Sequence, residues 1–195
     1  MKINSRYRKG GIVSFPKHTG EKIYMVPFLK REGLPSHISR WQSVVDVMLE
    51  DIETDQPIYI MVDQGIVKAG NPHRRGGIHI DGNWMPDIQA HGGGSWIPTP
   101  IHSPFPTHEH TELKPEALIL SSDVSACAFY KGEIEAQVGD GGDCSHLDLS
   151  SFNRELAEPN RVYIGNVTVL HESLPVLKSC QRTVVRLNCP GVIGA

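Results

Sequence analysis

The sequence has little of what marks a disulfide-stapled, zinc-organised, membrane-spanning or calcium-binding protein. Its 195 residues include four cysteines, at 127, 144, 180 and 189. None lies in a Cys-x-x-Cys pair or at zinc-finger spacing, so no zinc module is expected, and the thiols are expected to be reduced. A Cys180–Cys189 bridge is the one pairing to weigh, and a reducing compartment argues against it. No run of about eighteen apolar residues exists, which leaves no candidate membrane helix. The segment Met1 to Lys9 is basic but lacks the apolar stretch of a signal peptide, so a cytoplasmic protein is expected. Asp140-Gly141-Gly142-Asp143 lacks the ligand ladder of a calcium loop and reads as a tight turn. There is no internal repeat and no linker that would split the chain.

What is present points to a β-rich domain. With 39% hydrophobic residues the chain can bury a core, and 19 Gly and 14 Pro imply many turns. One helix is expected over 38–52, where Trp41, Val44, Val45, Met48 and Ile52 recur at three- and four-residue steps, with Ser36 or Ser39 as its cap. Short apolar or alternating runs at 58–63, 77–81, 117–121, 126–131, 162–165, 167–171 and 182–188 read as strands. Many strands and few helices predict an antiparallel sandwich or barrel. Residues 91–107, with three consecutive glycines and four prolines, read as a long functional loop.

Charge is unevenly placed. Residues 1–40 hold nine Lys/Arg and two acids, whereas the remainder holds ten Lys/Arg and twenty acids. A basic arm of this kind could recruit nucleic acid or a nucleotide, or could lie over its own acidic body.

Two short stretches carry the chemistry. The first, Gly77-Ile78-His79-Ile80-Asp81-Gly82, contains His-x-Asp; in a strand, His79 and Asp81 point to one face and Ile78 and Ile80 to the other. The second, Val169-Leu170-His171-Glu172-Ser173, precedes Arg182-Thr183-Val184-Val185-Arg186. Two imidazoles and a carboxylate on one face of a ferrous ion leave three positions open. Arg182, Val184 and Arg186 share a strand face, and cations there call for an anion, such as the far carboxylate of a dicarboxylic cosubstrate. Singly, each residue has an ordinary explanation: His79 a bonded strand histidine, Asp81 the start of a turn, His171 a polar strand end. The arginines could instead pair with Glu133, Glu135 or Glu172.

In order and spacing, His79, Asp81, His171 and Arg182 resemble the 2-oxoglutarate- and iron(II)-dependent oxygenases. The segment His171 to Pro175 before the Arg182–Arg186 strand is similar to small phage and environmental members of that family. The resemblance covers roughly residues 58–190 and leaves the first forty unexplained. It implies a double-stranded β-helix, or jelly roll, with one or a few supporting helices. It further implies a catalytic domain over 41–195 and a basic arm, 1–40, packed on or extending from it. Iron(II) would be held by His79, Asp81 and His171, and 2-oxoglutarate by the metal and by Arg182. O2 would be consumed in oxidative decarboxylation coupled to hydroxylation of a further substrate. Arg186 would assist with the cosubstrate or grip an acidic group of the substrate. Trp84, Trp96 and Tyr130 are candidates for the substrate cleft, or else for aromatic core. Two other readings stay open: a cupin-type metalloenzyme using His108 and His110, and a non-catalytic jelly-roll binding protein.

Overall fold

Alternation along one strand organises the molecule. The computed structural model describes residues 1–83 and 113–195. Within it, strand β10 (Cys180–Pro190) lies between β4 (Ile58–Val67) and β5 (Glu116–Ser122), antiparallel to both. Val185, Leu187 and Cys189 face one way, toward the largest apolar cluster, while Val184 belongs to a separate cluster on the opposite side. Outside this central trio lie β8 (Arg161–Gly165) and β2 (Tyr7–Ile12) on one side and β3 (Lys22–Phe28) on the other. The sheet order is β2-β8-β5-β10-β4-β3.

The outer face of this six-stranded sheet is covered by the expected helix in a shorter form. A 3₁₀ segment, Ser36–Trp41, leads into α1 (Gln42–Met48). Trp41, Val44, Val45, Met48 and Ile52 are all buried, as the periodicity requires, against Ile58, Ile60 and Val62 of β4. Capping differs from expectation. Pro35 precedes the 3₁₀ turn and no side chain caps it, while Ser39 Oγ donates to Ser36 O inside the turn at 2.9 Å. The fixed φ of proline suits a helix start, so a serine cap is not required there.

The second sheet is smaller and has four strands. Its centre, β6 (Cys127–Glu135), pairs with β1 (Lys2–Ser5), β7 (Asn153–Leu156) and β9 (Leu170–Ser173). Tyr7, Met61, Leu120, Cys127, Phe129, Tyr163 and Val184 form the core between the two sheets, with Phe129 stacked on Tyr163 at 4.7 Å. Three layers result: helix, large sheet, small sheet.

The strand runs over 58–63, 117–121, 162–165 and 182–188 lie within observed strands, and the 126–131 run starts one residue before β6. Two do not match. Residues 77–81 make only an isolated bridge at His79, and the 167–171 run begins its pairing at Leu170. The first forty residues supply β1 to the small sheet and β2 and β3 to the two edges of the large one. Their bases meet acids of the body: Lys2 with Glu133, Arg8 with Asp51, Lys9 with Glu155 and Glu158, Lys30 with Glu53. All four cysteines are free, Cys180 and Cys189 included. Among the described residues no helix is long and apolar enough to cross a membrane.

Candidate metal centre

The His79–Asp81 segment is placed by its neighbours rather than by a strand of its own. On one side, His79 N donates to His171 O at 3.0 Å and His171 N to His79 O at 3.1 Å, a hydrogen-bonded antiparallel pair. On the other, Ile80 N donates to Gly142 O at 3.0 Å and Cys144 N to Ile78 O at 2.8 Å. The Asp140–Gly142 turn makes this second contact possible. Gly142 has φ +83°, and a Cβ there would stand 2.1 Å from Ile80 O, so only glycine permits the approach. Ile80, fully buried, anchors the segment in the cluster behind the small sheet, and Ile78 packs against that cluster. The alternation expected from the sequence therefore holds: His79 and Asp81 turn the other way, into a cavity between the sheets.

That cavity has a volume of about 330 Å³. His79, Asp81 and His171 line it, each less than a tenth exposed, with their potential ligand atoms all within 4.8 Å of one another. Asp81 Oδ1 is 3.8 Å from His79 Nε2, and its Oδ2 is 3.8 Å from His171 Nε2. Donors each about 2.1 Å from a shared ion stand about 3 Å apart at right angles, so closure by under about 1 Å would bring these pairs onto one metal. The imidazole tautomers are fixed from behind. His79 Nδ1 is 2.8 Å from Gly77 O and His171 Nδ1 is 3.2 Å from Val169 O. A carbonyl only accepts, so each Nδ1 carries the proton and each Nε2 offers a lone pair to the same space.

Electrostatics suits a cation. Burial, reinforced by the neighbouring His171, lowers His79 to about 3, so its imidazole is neutral and able to ligate. Burial alone would raise the Asp81 carboxyl. The Arg186 guanidinium beside it, with the two imidazoles and Arg75, outweighs that and holds it below the usual carboxylate range. This buried His-Asp-His group could hold a metal ion.

The two arginines of β10 reach the cavity in different states. Arg186 Nη1 donates to Asp81 Oδ2 at 2.7 Å, and Nη2 rests 3.6 Å from Met25 Sδ. Arg182 is fully buried and meets no carboxylate among the described residues. Its donors reach Ser122 Oγ at 3.1 Å, Ser173 Oγ at 3.4 Å, Ala126 O at 3.2 Å and Cys127 Sγ at 3.0 Å. Glu133 and Glu172, considered as partners from the sequence, are taken by Lys2 and by Arg154 and Tyr130.

Tyr130 is not a cavity residue. It packs with Ile3, Ala128 and Leu170 in the cluster behind the small sheet, and its hydroxyl donates to Glu172. On β6 it lies one residue from Phe129, and alternation turns it away from the His171 side. Trp84, Trp96, His108 and His110 and the 91–107 loop lie outside the described residues. Several cavity residues escaped the sequence reading: Tyr24, Cys127, Ser173, and the Arg74-Arg75 pair that directly precedes the His-x-Asp segment. Only the last had a visible signal, two adjacent cations close to a ligand motif.

No protein-family model matches the chain, and no curated protein or solved structure matches it.

Proposed function

We propose that this chain is a non-heme iron(II) oxygenase that couples oxidative decarboxylation of 2-oxoglutarate to hydroxylation of a further substrate, on a fold of jelly-roll type. One observation carries the reading. Two buried, tautomer-fixed imidazoles and a buried carboxylate converge in the cavity where Arg182 is buried with no counter-charge among the described residues. The donor set is the two-histidine, one-carboxylate group suited to iron(II) with open positions. A buried guanidinium bonded only to neutral groups keeps much of its desolvation cost, which a bound carboxylate would offset.

Iron(II) and 2-oxoglutarate, when bound, would supply the activation of O2 that no side chain can provide. His79 and His171 would hold the metal through Nε2, their rings kept in line by the carbonyls of Gly77 and Val169. Arg186, already bonded to Asp81 Oδ2, would hold that carboxylate while its other oxygen ligates. Arg182 would bind the far carboxylate of the cosubstrate, with Ser173 or Cys127 giving up its contact. Met61, Leu120 and Val184 present an apolar wall that limits water.

The test is direct. Anaerobic addition of iron(II) and 2-oxoglutarate should produce the visible charge-transfer absorption of the chelate. Aerobic incubation with ascorbate should then yield succinate. His79→Ala, checked for folding by circular dichroism, should give neither. Wild-type protein that shows neither absorption nor succinate would overturn the reading and return the chain to a non-catalytic binding role.

A further inference from the structure

The body of the chain is acidic, yet its cavity is not. Residues 41–195 hold ten Lys/Arg against twenty acids. Among the described residues, four of those bases, Arg74, Arg75, Arg182 and Arg186, line this one cavity, and of the acids only Asp81 and Glu172 do so. Both acids are engaged: Asp81 with Arg186, and Glu172 with Tyr130 and Arg154. If Asp81 ligates a divalent cation and Arg182 takes a dianionic cosubstrate, positive charge is still in surplus. That surplus sits at Arg74 and Arg75.

The local structure holds these two guanidinia in place. Asp63, on β4, is the single carboxylate among the described residues that faces Lys22, Arg74 and His73: Lys22 donates to it, Arg74 Nη1 bonds it at 2.9 Å, and His73 Nε2 is 3.2 Å away. One acid between Lys22 and Arg74 leaves the cluster positive. Arg75, exposed at the cavity wall, donates to Gly141 O at 2.7 Å, a neutral acceptor, and pairs with no carboxylate among the described residues. Opposite in chain order, the pairing of β3 with β4 shifts register between Ile23 and Val26, and Met25 takes φ +48°. A bulge of this kind re-aims side chains, and here Tyr24 and Met25 both reach the site, Tyr24 half exposed on the cavity wall.

We propose that this rim, Arg74 and Arg75 with Tyr24, receives an anionic group, phosphate or carboxylate, of the molecule on which the site acts. The inference rests on the oxygenase reading for the word substrate, but the anion site itself needs neither iron nor turnover. Guanidinium forks bind both oxyanions in a bidentate manner, and a focused positive rim on an acidic protein draws anions to that one opening.

Inorganic phosphate and malonate serve as probes, titrated into the 195-residue chain with the arginine Nε–H resonances followed by NMR at low ionic strength. The Arg74 and Arg75 signals should shift saturably, and saturating 2-oxoglutarate should not abolish the effect. Arg75→Gln should weaken phosphate binding by about fivefold or more, while Arg6→Gln on the far arm leaves it unchanged. Arg74→Gln should act in the same direction, with a thermal melt to separate lost binding from the lost Asp63 tie. The stronger of the two probes identifies the group. Shifts confined to Arg182 and Arg186, or equal affinity in Arg75→Gln, would overturn the proposal. An intact charge-transfer band with a silent rim sinks this inference alone. A saturable rim without the band sinks the oxygenase reading alone.

Discussion

The two faces of β10 are made by alternate residues of one backbone, and they are opposites. Val185, Leu187 and Cys189 meet the helical layer and the rest of the apolar core. Arg182 and Arg186, both buried, meet a polar cavity, Arg182 with no counter-charge among the described residues. Apolar burial on the first face stabilises the fold at about 25 cal/mol per Å². On the second face Val184 joins the core between the sheets, but the two arginines give no such return, because a guanidinium removed from water costs several kcal/mol unless an anion meets it. A strand with one apolar face and another that carries ligand chemistry should respond to mutation in two separable ways.

The largest effect belongs to the helical face. Trp41→Ala should destabilise by about 3–5 kcal/mol in urea unfolding, since it empties the largest fully buried side chain. Metal binding by the fraction that stays folded should be unchanged; a matching loss of metal affinity would mean the two faces are coupled. Next comes the clamp. Gly142→Ala adds a Cβ 2.1 Å from Ile80 O and forces alanine into the left-handed region. It should cost at least about 2 kcal/mol and weaken metal binding with it.

A smaller, pH-dependent effect is expected at Asp63. Burial alone would raise its carboxyl, but His73, Lys22 and Arg74 outweigh burial and set it below the ordinary range. A carboxyl lowered on folding contributes stability above its unfolded value, about pH 4, and loses it as pH falls toward the folded value. Asp63→Asn should therefore cost about 1.5 kcal/mol at pH 7, and the gap from wild type should narrow below about pH 4. A gap that stays constant through that window would show the ion pairs to be without net effect. Smallest of all for the fold is Arg182→Met, which should leave stability equal or slightly higher while weakening 2-oxoglutarate binding about tenfold. If Arg186→Met does this and Arg182→Met does not, the anchor is the other arginine.

Strand periodicity made much of this comparison legible beforehand. By parity alone the 182–188 run puts Arg182, Val184 and Arg186 on one face and Thr183, Val185 and Leu187 on the other, and the helix announces itself through Trp41, Val44, Val45 and Met48. The N-terminal strands were hidden for physical reasons. β2 reads Tyr-Arg-Lys-Gly-Gly-Ile, with too few apolar positions to alternate, and the bulge in β3 breaks its period at Met25. β7, Asn-Arg-Glu-Leu, is polar almost throughout. At the cavity, the ligand residue types were visible as motifs. Their surroundings were not, because the Asp81–Arg186 bond spans 105 positions and Arg182–Ser122 spans 60. Of the two readings open for Tyr130, cleft or aromatic core, its parity on β6 places it in the core cluster behind the small sheet.

The paired amides of His79 and His171 have a consequence for how the centre opens. Each residue's N–H is held by the other's carbonyl, so the two backbones that carry the imidazoles are spaced by one rung. Breaking that rung frees both backbones at once. Deuterium uptake at these two amides should then show one shared protection factor, set by a single opening event. Anything that binds between the rings should slow both by the same factor, which makes the pair a built-in gauge of occupancy that reads without any optical signal.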